Sequence, residues 1–385
     1  MVVKKTVKKN YAKLALALHK KLQGKVSVMP KVAVRNKEDL AIVYTPGVGA
    51  VSSHLATHPK ETAKYTMKGN MVAVVSDGSA VLGLGNIGPE AALPVMEGKA
   101  MLFQSLAGVN AFPIVLATQD TEEIIQTVKR IAPGFGGINL EDIAAPRCFE
   151  IERRLQEELD IPVMHDDQHG TAMVVLTGLI NALKVVNKKK EAIRVVISGS
   201  GAAGQAIAEL LLGYGVIDIV MLDSRGIIGP NRTDLDQHKQ ALRSVTNPSG
   251  LDGDLSDAVL AADVFIGVSK GGLLTAKHVE SMATDAVVFA LANPVPEIMP
   301  DIALSAGARV VATGRSDFAN QINNSLGFPG IFRGALNHRV KRITDAMLVK
   351  AAKNLAALIA KPSAENIIPS TFDKRVVPAV AKAIR

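Results

Sequence analysis

The chain has 385 residues, 48% of them hydrophobic and 21% charged, which is a globular composition rather than a disordered or fibrous one. Its net charge of +8 points at first to an acidic partner, but ten Lys and one Arg fall in residues 1–37 without an acid, and the other 33 cations face 36 acids. The basicity therefore belongs to an N-terminal arm, read most simply as a solvated helix face, and neither nucleic acid nor membrane is an expected partner.

The arm does not read as a convincing signal peptide, because its apolar run at 14–18 is short and His19-Lys20-Lys21 follows at once. No stretch of 18 apolar residues is available for a transmembrane helix. The single cysteine, Cys148, cannot form an internal disulfide and fits a reducing cytoplasm. Beyond the arm, β-branched and aliphatic runs recur at 71–76, 112–117, 137–140, 161–164, 193–198, 219–222, 264–268, 287–291 and 309–313. Such runs predict buried parallel strands, and the longer stretches between them predict helices. The fold class is therefore α/β, with a parallel sheet in an N-terminal domain and a Rossmann-type doubly wound sheet in a C-terminal one. Residues 170–186 read as a long buried helix, and the Asn-Lys-Lys-Lys-Glu interruption within 186–192 precedes the second sheet. We divide the chain into 1–165, 166–340 and a helical tail, 341–385. Its amphipathic segment at 344–360 is expected to pack back on the first domain.

The residues that follow the runs are polar: Asp77, Glu141-Asp142, Asp166-Asp167, Gly199, Asp223, Ser269, Asn293 and Gly314. In open α/β sheets, ligands sit outside the carboxyl ends of the strands. The fifth run leads into Gly199-Ser-Gly-Ala-Ala-Gly204 and then an apolar helix, which is G-x-G-x-x-G in its required strand–loop–helix setting. Gly199 allows the tight turn, Gly201 lets backbone approach a pyrophosphate, and Gly204 lets helix and strand pack closely. Ala202 and Ala203 open the helix, whose N-terminus favours phosphate. Asp223, 19 residues past Gly204, is placed for a ribose 2′-hydroxyl and favours NAD, while Arg225 keeps NADP open.

Glu141, Asp142 and Asp167 offer three hard oxygen ligands suited to Mg²⁺ or Mn²⁺. Two other readings stand beside that one. His165 and His169 have the i,i+4 spacing of a zinc pair, and the acids can simply cap helices.

Several motifs then occur in one order: Val43-Tyr-Thr-Pro-Gly-Val-Gly49, Ser76-Asp-Gly-Ser-Ala-Val-Leu-Gly-Leu-Gly-Asn-Ile-Gly88, Pro94-Val-Met-Glu-Gly-Lys99, Asn139-Leu-Glu-Asp-Ile143, His165-Asp-Asp-Gln-His-Gly-Thr171, Ala292-Asn-Pro294, Asn323-Asn324 and Phe328-Pro-Gly330. Across about residues 35–340 the chain resembles the malic enzymes in their short bacterial form. The resemblance implies oxidative decarboxylation of (S)-malate to pyruvate and CO₂ with NAD(P) and a divalent metal. Tyr44 matches the general acid, Lys99 the general base, and Asp166 a partner that orients and tunes Lys99. The metal ligands match Glu141, Asp142 and Asp167, while Asn293, Asn323 and Asn324 reach toward substrate, with Asn293 also at the nicotinamide ribose. For the base role Lys99 must be neutral, and burial beside a cation is expected to lower it from about 10.4. Ala80 stands where larger relatives carry a carboxylate-binding Arg, so Ser79, Asn324 and the metal become the candidates for the second carboxylate. The resemblance also implies a homodimer. Alternatives are a decarboxylase acting on oxaloacetate with little net redox use, an amino-acid dehydrogenase, which would not need three metal-binding acids, and a binding protein using the arm.

Overall fold

Each of the nine aliphatic runs is a parallel strand, and all but the edge strand at 110–115, where Phe112 is exposed, are mostly buried on both faces. A computed structural model describes residues 10–81 and 83–385, so the first four lysines of the arm lie outside the described residues. The first sheet has the order β2-β1-β3-β4, formed by β1 (Met71–Ser76), β2 (Asn110–Val115), β3 (Gly137–Leu140) and β4 (Val163–His165). The second has the order β10-β9-β8-β5-β6-β7. Its members are β5 (Arg194–Ser198), β6 (Asp218–Asp223), β7 (Gly226–Ile227), β8 (Val264–Gly267), β9 (Val287–Ala290) and β10 (Val310–Thr313). Only β7, too short to give a sequence signal, pairs antiparallel, turning back on β6. Strand order reverses between β1 and β3 in one sheet and between β5 and β8 in the other, and these switch points are where ligand crevices form.

The Thr171–Val185 helix joins the two sheets. Residues 172–183 are all buried, in one apolar core that runs from Val72 and Val74 of β1 to Val195 and Ile197 of β5. A single π-helical turn, Asp166–Gly170, feeds this helix from β4. The tail meets several elements, with Lys341 Nζ donating directly to Asp160 Oδ1 of the first unit at 2.6 Å. Its Asp345–Ala356 helix packs on the Thr171–Val185 and Ala202–Tyr214 helices, and Asn181 Nδ2 donates to Ala356 O and Ile367 O at 2.9 and 3.0 Å. The Val376–Ala381 helix packs on Phe328–His338, which in turn lies on Pro89–Ala107 of the first unit. The tail therefore reaches the first unit chiefly through an intermediary helix. Its apolar stripe specifies burial but not which surface does the burying.

The N-terminal helices Tyr11–Leu22, Lys37–Val43 and Gly47–Thr57 bury no residue in the single chain. Leu14, Leu18, Val28, Met29, Ile42 and Val48 stand exposed there. Among the described residues no helix is long and apolar enough to cross a membrane.

Candidate active site

The ends of β3 and β4 bring the acids together. Glu141 and Asp142 follow β3, and Asp166 and Asp167 open the π-helical turn after β4. Asp142 adopts φ +53°, which aims its N–H at Asp167 Oδ2, 2.9 Å away. Glu141, Asp142 and Asp167 then present oxygens that all lie within 4.8 Å of one another. Three converging carboxylates, two of them buried, repel unless a cation lies between them, so this donor set fits Mg²⁺ or Mn²⁺. It is also the one grouping of three metal-suited side chains among the described residues. The zinc pair is not formed, because His169 Nε2 lies 3.1 Å from Glu152 and His165 shares no ligand grouping with it. Buried Glu152 organises this turn by accepting from His165 N, Gln168 Nε2 and His169 Nε2.

Lys99 arrives from the Pro89–Ala107 helix. Its Nζ hydrogen-bonds to Asp166 Oδ2, lies 2.9 Å from Glu141 Oε1 and sits 4.4 Å above the Phe328 ring. Burial pushes the Lys99 ammonium down, but the pull of Asp166, Glu141 and Asp167 outweighs it and holds the group above the usual lysine range. That direction belongs to the chain without a divalent cation, whose charge among the same acids would act the opposite way. Burial pushes Asp166 and Glu141 up, with Lys99 opposing.

Across from the acids is the glycine turn. Gly199 has φ +120°, and a Cβ on Gly204 would fall 1.8 Å from Gly199 O, so both need glycine, one for its backbone and one for packing. Gly201 faces open space. Gly201, Ala202 and Ala203 form one wall of a cavity of about 420 Å³, and Asp167, Asn293, Asn323 and Asn324 contribute to the rest. The size is that of a small-molecule site. Asn293 Nδ2 donates to Leu291 O at 3.2 Å, and Asn323 Oδ1 accepts from Ser325 N at 2.9 Å. Glu297, fully buried, accepts from Ser269 N and Ala292 N and so ties the ends of β8 and β9 together. Nothing in its local sequence announces that role.

Three expected residues stand differently. The Ser79 hydroxyl donates to Asp77 Oδ1 at 2.5 Å and accepts from Ala144 N at 2.9 Å. Its single proton is committed, so it has none to donate to a substrate carboxylate. Tyr44, at the end of the Lys37–Val43 helix, is 64% exposed and is not among the residues that line the cavity. Asp223 closes β6 as expected, but Arg232 and Lys239 hold its carboxylate.

The family models for the malic enzyme N-terminal domain and the malic enzyme NAD binding domain match residues 23–156 and 168–384. A bifunctional malic/malolactic enzyme of Bacillus subtilis is 57% identical over 96% of this chain and 91% of its own length. An NADP-dependent malic enzyme of Halomonas elongata is 45% identical over 96% and 92%. The crystal structure of an NAD-dependent malic enzyme from Thermotoga maritima superposes with a TM-score of 0.93 at 50% identity, over 96% of this chain and 98% of that one. With acids, lysine, glycine turn and both domain matches in agreement, the chain belongs to the malic enzyme family.

Proposed function

We propose that this chain oxidises (S)-malate at C2 with NAD⁺ or NADP⁺ and releases pyruvate and CO₂, with Mg²⁺ or Mn²⁺ held by Glu141, Asp142 and Asp167. The observation that carries the reading is Lys99 Nζ, buried between Glu141 and Asp166, the latter next in sequence to Asp167, which lines the same cavity as Gly201, Ala202 and Ala203 of the glycine turn. When bound, the cation supplies Lewis-acid polarisation of a substrate oxygen and the dinucleotide supplies the hydride acceptor. With a cation held by Glu141, Asp142 and Asp167 to offset the carboxylates that keep Lys99 protonated, the neutral amine of Lys99 takes the proton of the malate 2-hydroxyl. Asn293, Asn323 and Asn324 orient substrate and nicotinamide ribose from the cavity wall. Tyr44 protonates C3 after CO₂ leaves.

In this reading residues 1–165 carry most of the substrate and metal groups, and 166–340 carry the dinucleotide and add Asp167 to the metal and the three asparagines to the substrate. A second copy of the chain covers the apolar surface of the N-terminal helices, where Tyr44 stands. Sedimentation at the 40.6 kDa mass of one chain would contradict that homodimer. We place the protein in the cytoplasm, where its one cysteine, buried Cys148, stays reduced, a placement that cell fractionation tests.

The test follows absorbance of reduced nicotinamide with malate, Mn²⁺ and each cofactor, and pyruvate release from oxaloacetate alone. Malate oxidation abolished by a chelator is the expected result. Activity confined to oxaloacetate would instead establish the decarboxylase alternative.

A further inference from the structure

The carboxylate of Asp223 has no acceptor capacity left. Asp223 lies beside the glycine turn, because β6 pairs with β5 and Gly199 N–H donates to Leu222 O at 2.9 Å. Its Oδ1 accepts from Arg225 N at 2.9 Å and Arg232 Nη1 at 3.0 Å. Its Oδ2 accepts from Arg232 Nη2 at 3.0 Å and Lys239 Nζ at 2.8 Å. An ionised carboxylate has about four lone-pair sites, and these donors fill them. The side chain is only 7% exposed.

Arg232 is equally occupied. Beyond Asp223 it engages both oxygens of Asp234 and the carbonyl of Ile227. Lys239, by contrast, uses one of its three donors on Asp223, and Arg225, 69% exposed, reaches Asp234 through Nη1 only. Three cations thus face two carboxylates at this strand end. The acids of the adjoining groove are turned elsewhere. Asp252 bonds Asn231, Asp254 accepts from Ser256 N and Asp257 N, and Asp257 accepts from Asp254 N.

An unpaired carboxylate here would take the ribose 2′-hydroxyl and repel a 2′-phosphate. A saturated one beside unspent cationic donors does neither. We propose that Asp223 and Arg232 are positioning residues, and that Lys239 and Arg225 receive a ribose 2′-phosphate, so that the chain binds the 2′-phosphorylated cofactor in preference to its plain form. The inference rests on the dinucleotide reading of the Gly199–Gly204 turn.

Calorimetric titration of the full chain with adenosine 2′,5′-bisphosphate and with 5′-AMP tests it without turnover. The bisphosphate is expected to bind about tenfold more tightly than 5′-AMP, in keeping with one or two charge-assisted hydrogen bonds. Lys239→Gln, which keeps the aliphatic stem, and Arg225→Gln are each expected to remove most of that ratio. A bisphosphate that binds more weakly than 5′-AMP, or a ratio unchanged in both variants, overturns the proposal. Failure of both nucleotides to bind removes the dinucleotide reading, and the proposal with it.

Discussion

Gly170 is a glycine whose backbone does not need one. Its φ of −64° and ψ of −46° are ordinary helical values. The requirement is spatial, since a Cβ there would lie 1.8 Å from Asp166 Oδ1. Gly170 therefore makes room for the carboxylate that holds Lys99. Gly170→Ala is expected to displace Asp166 and lower kcat on malate by about 100-fold, the cost of roughly 1 Å of misplacement at a reacting centre. Nucleotide affinity should be retained, because the glycine turn lies across the cavity. An unchanged kcat would mean that Asp166 does not position Lys99. The residue scale also marks where sequence reading stops. The three metal-suited acids and the turn glycines are legible because each follows a strand and its type matches its chemistry. The saturation of Asp223 is not legible, because Arg232 and Lys239 return to it from 9 and 16 positions downstream through a loop of no regular period. The upward shift of Lys99 in the metal-free chain is not legible for a related reason. Burial is visible in a sequence as a pattern, whereas the number of carboxylates around one ammonium is a property of the fold.

At the scale of elements, the nine parallel strands were legible because strands buried on both faces are continuous apolar runs. Their boundaries moved by no more than a few residues, as at 112–117 against Asn110–Val115. The tail helix is legible as a helix, but its full set of neighbours is not. Its buried Leu348, Ala351, Ala352 and Leu355 face the Thr171–Val185 helix, which is itself buried all round and so can accept partners from either sheet. Packing on this shared helix makes the tail part of the common core. Leu355→Ala removes a fully buried side chain there and is expected to cost about 2–5 kcal/mol. Thermal or denaturant unfolding checks it, and a variant as stable as the parent would place the helix outside the core.

At the scale of the whole molecule, two sheets with switch points of their own face one cavity. On the proposed reading, the first supplies acids and a lysine for protons and a cation, and the second a glycine turn for phosphates. Neither half holds both partners of a redox reaction, so the chemistry depends on the Thr171–Val185 helix fixing one half against the other. Gly83, at φ +74°, brings the first unit within contact of Asn293 O and Pro294 at the cavity mouth, and a side chain there would press on that junction. The N-terminal helices carry exposed apolar faces, which on the proposed reading a second copy covers.

The central claim is that the cavity joins hydride removal at C2 of malate to loss of CO₂. Turnover of malate deuterated at C2, followed by mass analysis of the cofactor and pyruvate, tests it most directly. The account expects one deuterium on the nicotinamide for each pyruvate released. Pyruvate formed without label on the cofactor would contradict it.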